Sequence, residues 1–321
     1  MATVNPLTVE ANGGDGLWFG LCPQDLRRQG LSVLLTGRSR VSGAAVDQME
    51  RFAVVHGFSL EQLWVAVGDG VVRSAVLVVP AAGGSGMVFV SPVMDDAGQK
   101  RLARLLGMVL EQQDGSLGLL QVLLDQDQLL AMEAATEAGF TYLAELLYLS
   151  CVLKSGGSVA GKLDLGVEMT VYEWSEVNRE LFARAILSSY EATQDCPGLV
   201  GIREIDQIIA GHMATGVFDA TLWHAVYDGN EPVGVLLLSG LADGGGCELV
   251  YLGLSLKFRG KGYAKRMMQW GITIASERNH QKMLCAVDAQ NSPAVALYQS
   301  LGFESTGSKH ALIYTVKQVE K

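Results

Sequence analysis

"ELVYLGLSLKFRGKGYAKRM", Glu248 to Met267, is the stretch on which the reading of this chain turns. It opens with an apolar run rich in branched and aromatic residues, the composition of a buried strand. A loop with Gly260 and Gly262 follows, then a helical pattern that puts Ala264, Met267, Met268 and Gly271 on one face. Five cations, Lys257, Arg259, Lys261, Lys265 and Arg266, crowd the helix start, and no acidic residue occurs from Leu249 to Ser276. Basic side chains there oppose the helix dipole and cost stability unless an anion binds. The free amides of the same helix end, approached past small glycines, form a cradle for phosphates. A dinucleotide fingerprint needs a third glycine where Lys265 stands, and a P-loop needs a glycine separated by four residues from Gly-Lys-Ser/Thr, so both are excluded.

Outward from this segment the chain repeats itself. "LWHAVYDG" at Leu222–Gly229 matches "LWVAVGDG" at Leu63–Gly70 in six of eight letters. Strand-like runs follow at Met87 and Leu249, then helical patterns, then the strands ending at Asp125 and Asp288, then Gly139-Phe140 and Gly302-Phe303, with an offset drifting only from 159 to 163. The expected reading of the shared octet is a strand with a buried Trp64 or Trp223 and an Asp-Gly turn into the next strand. Two tandem domains are expected, 1–153 and 163–321, joined by the Gly/Ser-rich segment Lys154–Lys162. Each is read as an α/β (α+β) domain with a mixed, mainly antiparallel sheet and one parallel crossover.

The 321 residues, 49% hydrophobic and 18% charged, are those of a folded protein, and no apolar run approaches the roughly 18 residues of a membrane span. The N-terminal residues lack a basic opening and an apolar core, which leads to the expectation of a cytoplasmic protein. Five cysteines, odd in number and without a C-x-x-C pair, are expected to be reduced rather than to form a disulfide framework or a zinc knuckle. A net charge of −10 disfavours nucleic acid and suits a cationic small substrate. The five histidines show no ligand spacing, so no metal is expected.

Arg259, Gly262 and Ala264 resemble the Gln/Arg-x-x-Gly-x-Gly/Ala pyrophosphate loop of the GNAT superfamily of acyl-CoA-dependent N-acetyltransferases. "NSPAVALYQSLGF", Asn291 to Phe303, is similar to that family's second cofactor segment. The resemblance implies two tandem GNAT folds, acetyl-CoA as co-substrate, and direct attack by the amine of a small molecule or peptide. It also implies roles. The amides and side chains of Arg259, Gly260, Lys261, Gly262, Tyr263 and Ala264 hold the pyrophosphate. The Leu252 amide meets the oxyanion, Leu254 pairs with the pantetheine arm, and Asn291 bonds to that arm or caps its helix.

Glu248, eleven residues before Arg259, is the candidate base, and Tyr298 the candidate proton donor to the leaving thiolate. The acceptor is expected near Tyr190, Glu191 and Asp195, in the segment Ser188–Asp206. Alignment by strand and by Gly-Phe sets Gly86 opposite Glu248, Ala97 opposite Arg259, Lys100 opposite Gly262, Gln128 opposite Asn291 and Ala135 opposite Tyr298. The first copy therefore reads as degenerate. A competing reading is an idle acyl-CoA sensor or scaffold; the acceptor and the oligomeric state stay open.

Overall fold

The computed structural model describes residues 16–316 except 41–42, 114, 154–164 and 166–168. The expected linker Lys154–Lys162 thus lies outside the described residues. The chain forms two compact units, Met1–Leu143 with His310–Lys321, and Ala144–Lys309. This division differs from the sequential one at both ends, for a reason visible in the strand pairing below. No helix among the described residues is long and apolar enough to cross a membrane.

The first unit runs β1 (Leu17–Leu21), α1 (Arg27–Thr36), α2 (Gly43–His56), β2 (Leu63–Gly68), β3 (Val71–Ala81), β4 (Ser85–Val90), α3 (Asp96–Glu111), β5 (Leu119–Asp125) and α4 (Leu129–Ala138). The strands pair in sequence order, antiparallel except for the parallel β4–β5 contact. Strict alternation assigns the two faces. Trp64, Ala66, Val76 and Val78 pack with Leu102, Leu105, Leu106 and Val109 of α3. Leu63, Val65, Ala75 and Leu77 pack with Leu31 and Leu34 of α1. With helices on both faces, the strands read as apolar almost throughout.

The second unit takes its first strand from the end of the first half of the chain. In β6 (Thr141–Val152), Leu146 to Val152 pair antiparallel with β11 (Lys282–Asp288). The remaining elements are β7 (Thr170–Glu173), α5 (Arg179–Ser189), α6 (Ile205–Met213), β8 (Trp223–Asp228), β9 (Glu231–Gly240), β10 (Cys247–Leu254), α7 (Tyr263–Glu277) and α8 (Ser292–Ser300). The strand order is β6-β11-β10-β9-β8-β7, with β10–β11 parallel. The last strand, β12 (Glu304–Thr315), reaches the first unit from His310 on, where the Thr141 hydroxyl donates to the Ile313 carbonyl at 3.3 Å. Each unit is completed by a strand from the other half of the sequence, which a linear cut at the Gly/Ser segment does not capture.

The repeated octet folds differently in its two copies. In β2, Leu63 pairs with Leu77 and Gly68 with Val71, so Asp69 and Gly70, both with positive φ, make the turn. In β8, Trp223 pairs with Leu237 and Asp228 with Glu231, so the turn falls on Gly229 and Asn230. Only Gly229 of these has positive φ, the II′ rather than the I′ pattern. Structural partners therefore lie 160 residues apart, not the 159 of the letters. A one-residue slip turns every side chain to the other face. Trp64 faces α3, whereas Trp223 packs on Trp174 and on Phe182 of α5, and His224 meets Trp270 of α7 at 4.4 Å. The expectation of a common Asp-Gly turn with equivalent tryptophans is corrected accordingly, although both rings are buried.

Candidate functional site

The pairing of β10 creates the opening. Against β9 it carries a bulge between Leu249 and Tyr251; against β11 it pairs only through Cys247 and Glu248, after which the two parallel strands part. The Ser255 N–H donates to the Val233 carbonyl at 3.0 Å. By alternation the Gly253 N–H also faces β9, and those of Leu252 and Leu254 turn toward the gap. A Cβ at Gly253 would collide with Ser189 and the Tyr251 ring, so glycine there lets the end of α5 close over the strand.

Helix α7 begins at the far end of this gap with Gly262 as its N-cap, φ +81°, and no side-chain cap. Its ladder starts with the Arg266 N–H donating to the Gly262 carbonyl at 3.2 Å. The amides of Tyr263, Ala264 and Lys265 thus have no acceptor within the helix. Gly260, at φ +73°, and Gly262 have open space where a Cβ would stand, so backbone conformation rather than crowding demands them.

Of the five cations, Lys257 pairs with Glu231, while Lys261, Lys265 and Arg266 are exposed and form no ion pair among the described residues. The Arg259 guanidinium, expected to hold an anion, is committed elsewhere. It donates to the carbonyls of Leu254 (3.0 Å), Ala192 (2.9 Å) and Ser189 (2.7 Å). It braces the loop against the end of α5, where a cation also complements the helix dipole.

Two cavities flank the parted strands. One, of about 170 Å³, is lined by Ser189, Asp195, Tyr251 and Leu252 among others; the second, of about 370 Å³, extends past Leu254 to Gly260, Gly262, Tyr263 and Ala264. Leu252, Leu254, Arg259, Asn291 and Tyr298 line both. Tyr298 is 6% exposed, burial holds its phenol proton more firmly than usual, and its hydroxyl has no hydrogen-bond partner among the described residues.

Asn291 both caps α8, accepting from the Ala294 N–H at 3.4 Å, and donates to Asp195. The Asp195 carboxylate also accepts from the Asp288 N–H at 3.0 Å, and buried Asp288 accepts from the Cys196 N–H at 3.1 Å. Burial raises the Asp195 pKa. This clasp fastens the segment after α5 to the end of β11.

Of the residues expected to meet the acceptor, Asp195 lines the smaller cavity, Tyr190 packs edge-on against Tyr251 at 6.0 Å, and Glu191 is exposed and lines neither cavity. Glu248 is half-buried, and burial alone raises its carboxyl above the ordinary range, yet it too lines neither cavity. Tyr251 is the residue the sequence reading missed. Its hydroxyl donates to Ser189 Oγ at 2.7 Å, Ser189 donates on to the Ile186 carbonyl at 2.6 Å, and His212 stacks on its ring at 5.4 Å. Only the bulge, which letters do not announce, turns Tyr251 into the cleft.

Comparison with known proteins agrees with this geometry. Residues 173–303 match the model of the acetyltransferase (GNAT) family. A peptidyl-lysine N-acetyltransferase, YjaB, of Salmonella typhimurium is 29% identical over 119 residues, which are 37% of this chain and 72% of that protein. A mycothiol acetyltransferase of Renibacterium salmoninarum is 28% identical over 193 residues, 54% of this chain and 51% of the relative, so the chain spans about half of that protein's length. The crystal structure of a GCN5-related N-acetyltransferase from Sphaerobacter thermophilus shares the fold over 96% of this chain and 98% of its own, with a TM-score of 0.58 at 14% identity. The second half of the chain, which carries the parted strands and the uncapped helix, is thus the part similar to the acetyltransferase (GNAT) family.

Proposed function

We propose that the second unit transfers an acetyl group from acetyl-CoA to a primary amine, and that the first is a degenerate copy without this activity. The observation that carries the reading is the uncapped start of α7, with its free amides and three unpaired cations, at the mouth of a cleft between parted strands. These residues fit a pyrophosphate followed by a narrow amide-bearing arm. The amides of Gly260 to Ala264 would take the phosphates, and the backbone of Leu254 and its neighbours the arm. When bound, acetyl-CoA supplies a thioester carbonyl for the amine to attack and a thiolate that leaves.

The chain's own groups have three tasks. The Leu252 N–H, turned to the gap, donates to the oxygen that gains charge. Tyr298, between the two cavities, delivers a proton to the departing sulfur. Glu248 takes the amine proton; since it lines neither cavity, that proton passes through water. Arg259 and the Asp195–Asn291 clasp position the cleft walls. The acceptor is an amine of a small molecule or a peptide, and the relative named a peptidyl-lysine N-acetyltransferase supports including lysine peptides.

The test is calorimetric titration of the full chain with acetyl-CoA, followed by turnover over polyamines, aminoglycosides and peptides. Saturable binding with release of CoA is expected. Binding without turnover on any amine would favour the idle sensor, and absence of binding would overturn both readings. Tyr298→Phe should lower kcat by about 100-fold, with acetyl-CoA affinity nearly intact. Glu248→Gln should lower kcat by about tenfold or more and flatten the acid limb of the pH profile, a limb that burial displaces above the ordinary carboxylate range.

A further inference from the structure

The first unit retains a cleft of its own. Strand β4 pairs with β5 only through Ser85, Gly86 and Met87, and then the two part, as β10 and β11 do. A cavity of about 300 Å³ lies there, lined by Met87, Phe89 and Val90 of β4, Leu123 and Leu124 of β5, and residues of α1, α2 and β3. The pairing register assigns its counterparts. Met87 faces Val79 as Glu248 faces Ser239, 160 residues on in β9, so Met87 rather than Gly86 stands opposite Glu248. By the same register Phe89 stands opposite Tyr251, and Val90 opposite Leu252. The bulge of β10 has no equivalent in β4.

The chemistry of this cavity is the reverse of that in the second unit. Every lining side chain but Gln128 is apolar. The start of α3 offers no anion site: Asp95 caps it, accepting from the Gly98 N–H at 2.6 Å, and Asp96 opens its first turn. Gln128 spends its carboxamide oxygen on the Asp125 N–H at 2.8 Å, leaving its NH₂ as donor. Around the cavity Phe52 is 51% exposed, Phe89 45% and Leu35 40%, an accumulation of apolar surface at one opening.

We propose that this cavity is a second small-molecule site, for an uncharged, compact, apolar ligand with one hydrogen-bond-accepting oxygen such as an alcohol or a ketone. A volume near 300 Å³ is at the small end of ligand pockets, and apolar walls with one placed polar group are their usual make-up. A carboxylate or a CoA thioester would bring charge to a site with no cation in its lining and with carboxylates at the adjacent helix start. The site stands on the first unit alone, so its fate is separate from that of the acetyl-transfer reading.

The test is fluorescence titration of the full chain with the neutral apolar dye N-phenyl-1-naphthylamine, with 1-octanol, octanoate and acetyl-CoA as competitors. Expected are saturable binding of about one equivalent, displacement by 1-octanol, and at least about tenfold weaker competition by octanoate. Ala81→Trp fills the cavity from an exposed position and should weaken dye binding by about tenfold or more. Phe89→Asp, which introduces charge at its opening, should do the same, while Gly262→Asp in the other unit should leave it unchanged. A far-UV circular dichroism spectrum and a urea-unfolding midpoint unchanged from the parent chain would show that the Ala81 and Phe89 variants are folded. Non-saturable binding, displacement by acetyl-CoA, or dye affinity indifferent to both variants would overturn the proposal.

Discussion

The helices α3 and α7 follow equivalent parted strands and begin in opposite ways. At α3 a carboxylate closes the helix end, with the Asp95 side chain on the Gly98 amide and Asp96 behind it. At α7 the N-cap is a glycine in the left-handed region, no side chain caps the amides, and no acid stands in the first turn. One end has satisfied its own donors; at the other, the amides of Tyr263, Ala264 and Lys265 have no acceptor within the helix. An uncapped helix start surrounded by cations is a local cost, and a chain keeps such a cost where an anion offsets it. The two units thus set an uncapped helix start beside a polar cleft in one and a self-sealed helix beside an apolar pocket in the other.

The sharpest way to break the contrast is to give α7 the cap of α3. Gly262→Asp should weaken acetyl-CoA binding by about 100-fold, as one or two charge-assisted hydrogen bonds of about 1.5–3 kcal/mol are lost. Calorimetry showing affinity within about threefold of the parent chain would remove the amides from the binding site.

A smaller contrast concerns acid. Where the first unit has Trp64, the second has His224, buried with an unpartnered Nδ1, and half-buried His212 holds an unpartnered, buried Nε2. Burial lowers each pKa to about 4. Unfolded histidines bind protons below about pH 6.5, so stability is full above that value. It falls as the pH drops toward 4, by up to about 1.4 kcal/mol per pH unit for each histidine. Hydrogen exchange followed from pH 7 to 4.5 should show the second unit losing protection first, and His224→Phe should recover about half of that loss. Parallel loss in both units, unaltered by the substitution, would dismiss the histidines as its cause.

The least effect is expected from the reverse exchange. Asp95→Ala should cost the first unit about 1 kcal/mol in urea denaturation and still confer no acetyl-CoA binding. Tight binding by that variant would mean that the cap alone separates the two units.

The segment similar to the GNAT family and the order of its elements were legible because local needs wrote them: apolar periodicity for strands and helices, and glycines for the left-handed turns at 260 and 262. The side-chain roles were less so. Arg259 satisfies three carbonyls supplied by the preceding strand and by a segment some 70 residues earlier, and no spacing reveals where those carbonyls will point. Tyr251 entered the cleft through a bulge, and Glu248 did not reach either cavity.

The sequence by itself determined the class of fold, the repeated order of its elements and the glycine loop with its basic helix start, since each rests on interactions among residues close in the chain. Tertiary structure alone decided the rest. It paired β6 with β11 and carried the end of β12 into the first unit, and it set the two copies of "LW" in registers one residue apart, because strand pairing is chosen by the whole sheet. A side-chain period of two makes such a slip invisible in the letters and decisive for which face, and which chemistry, each residue meets.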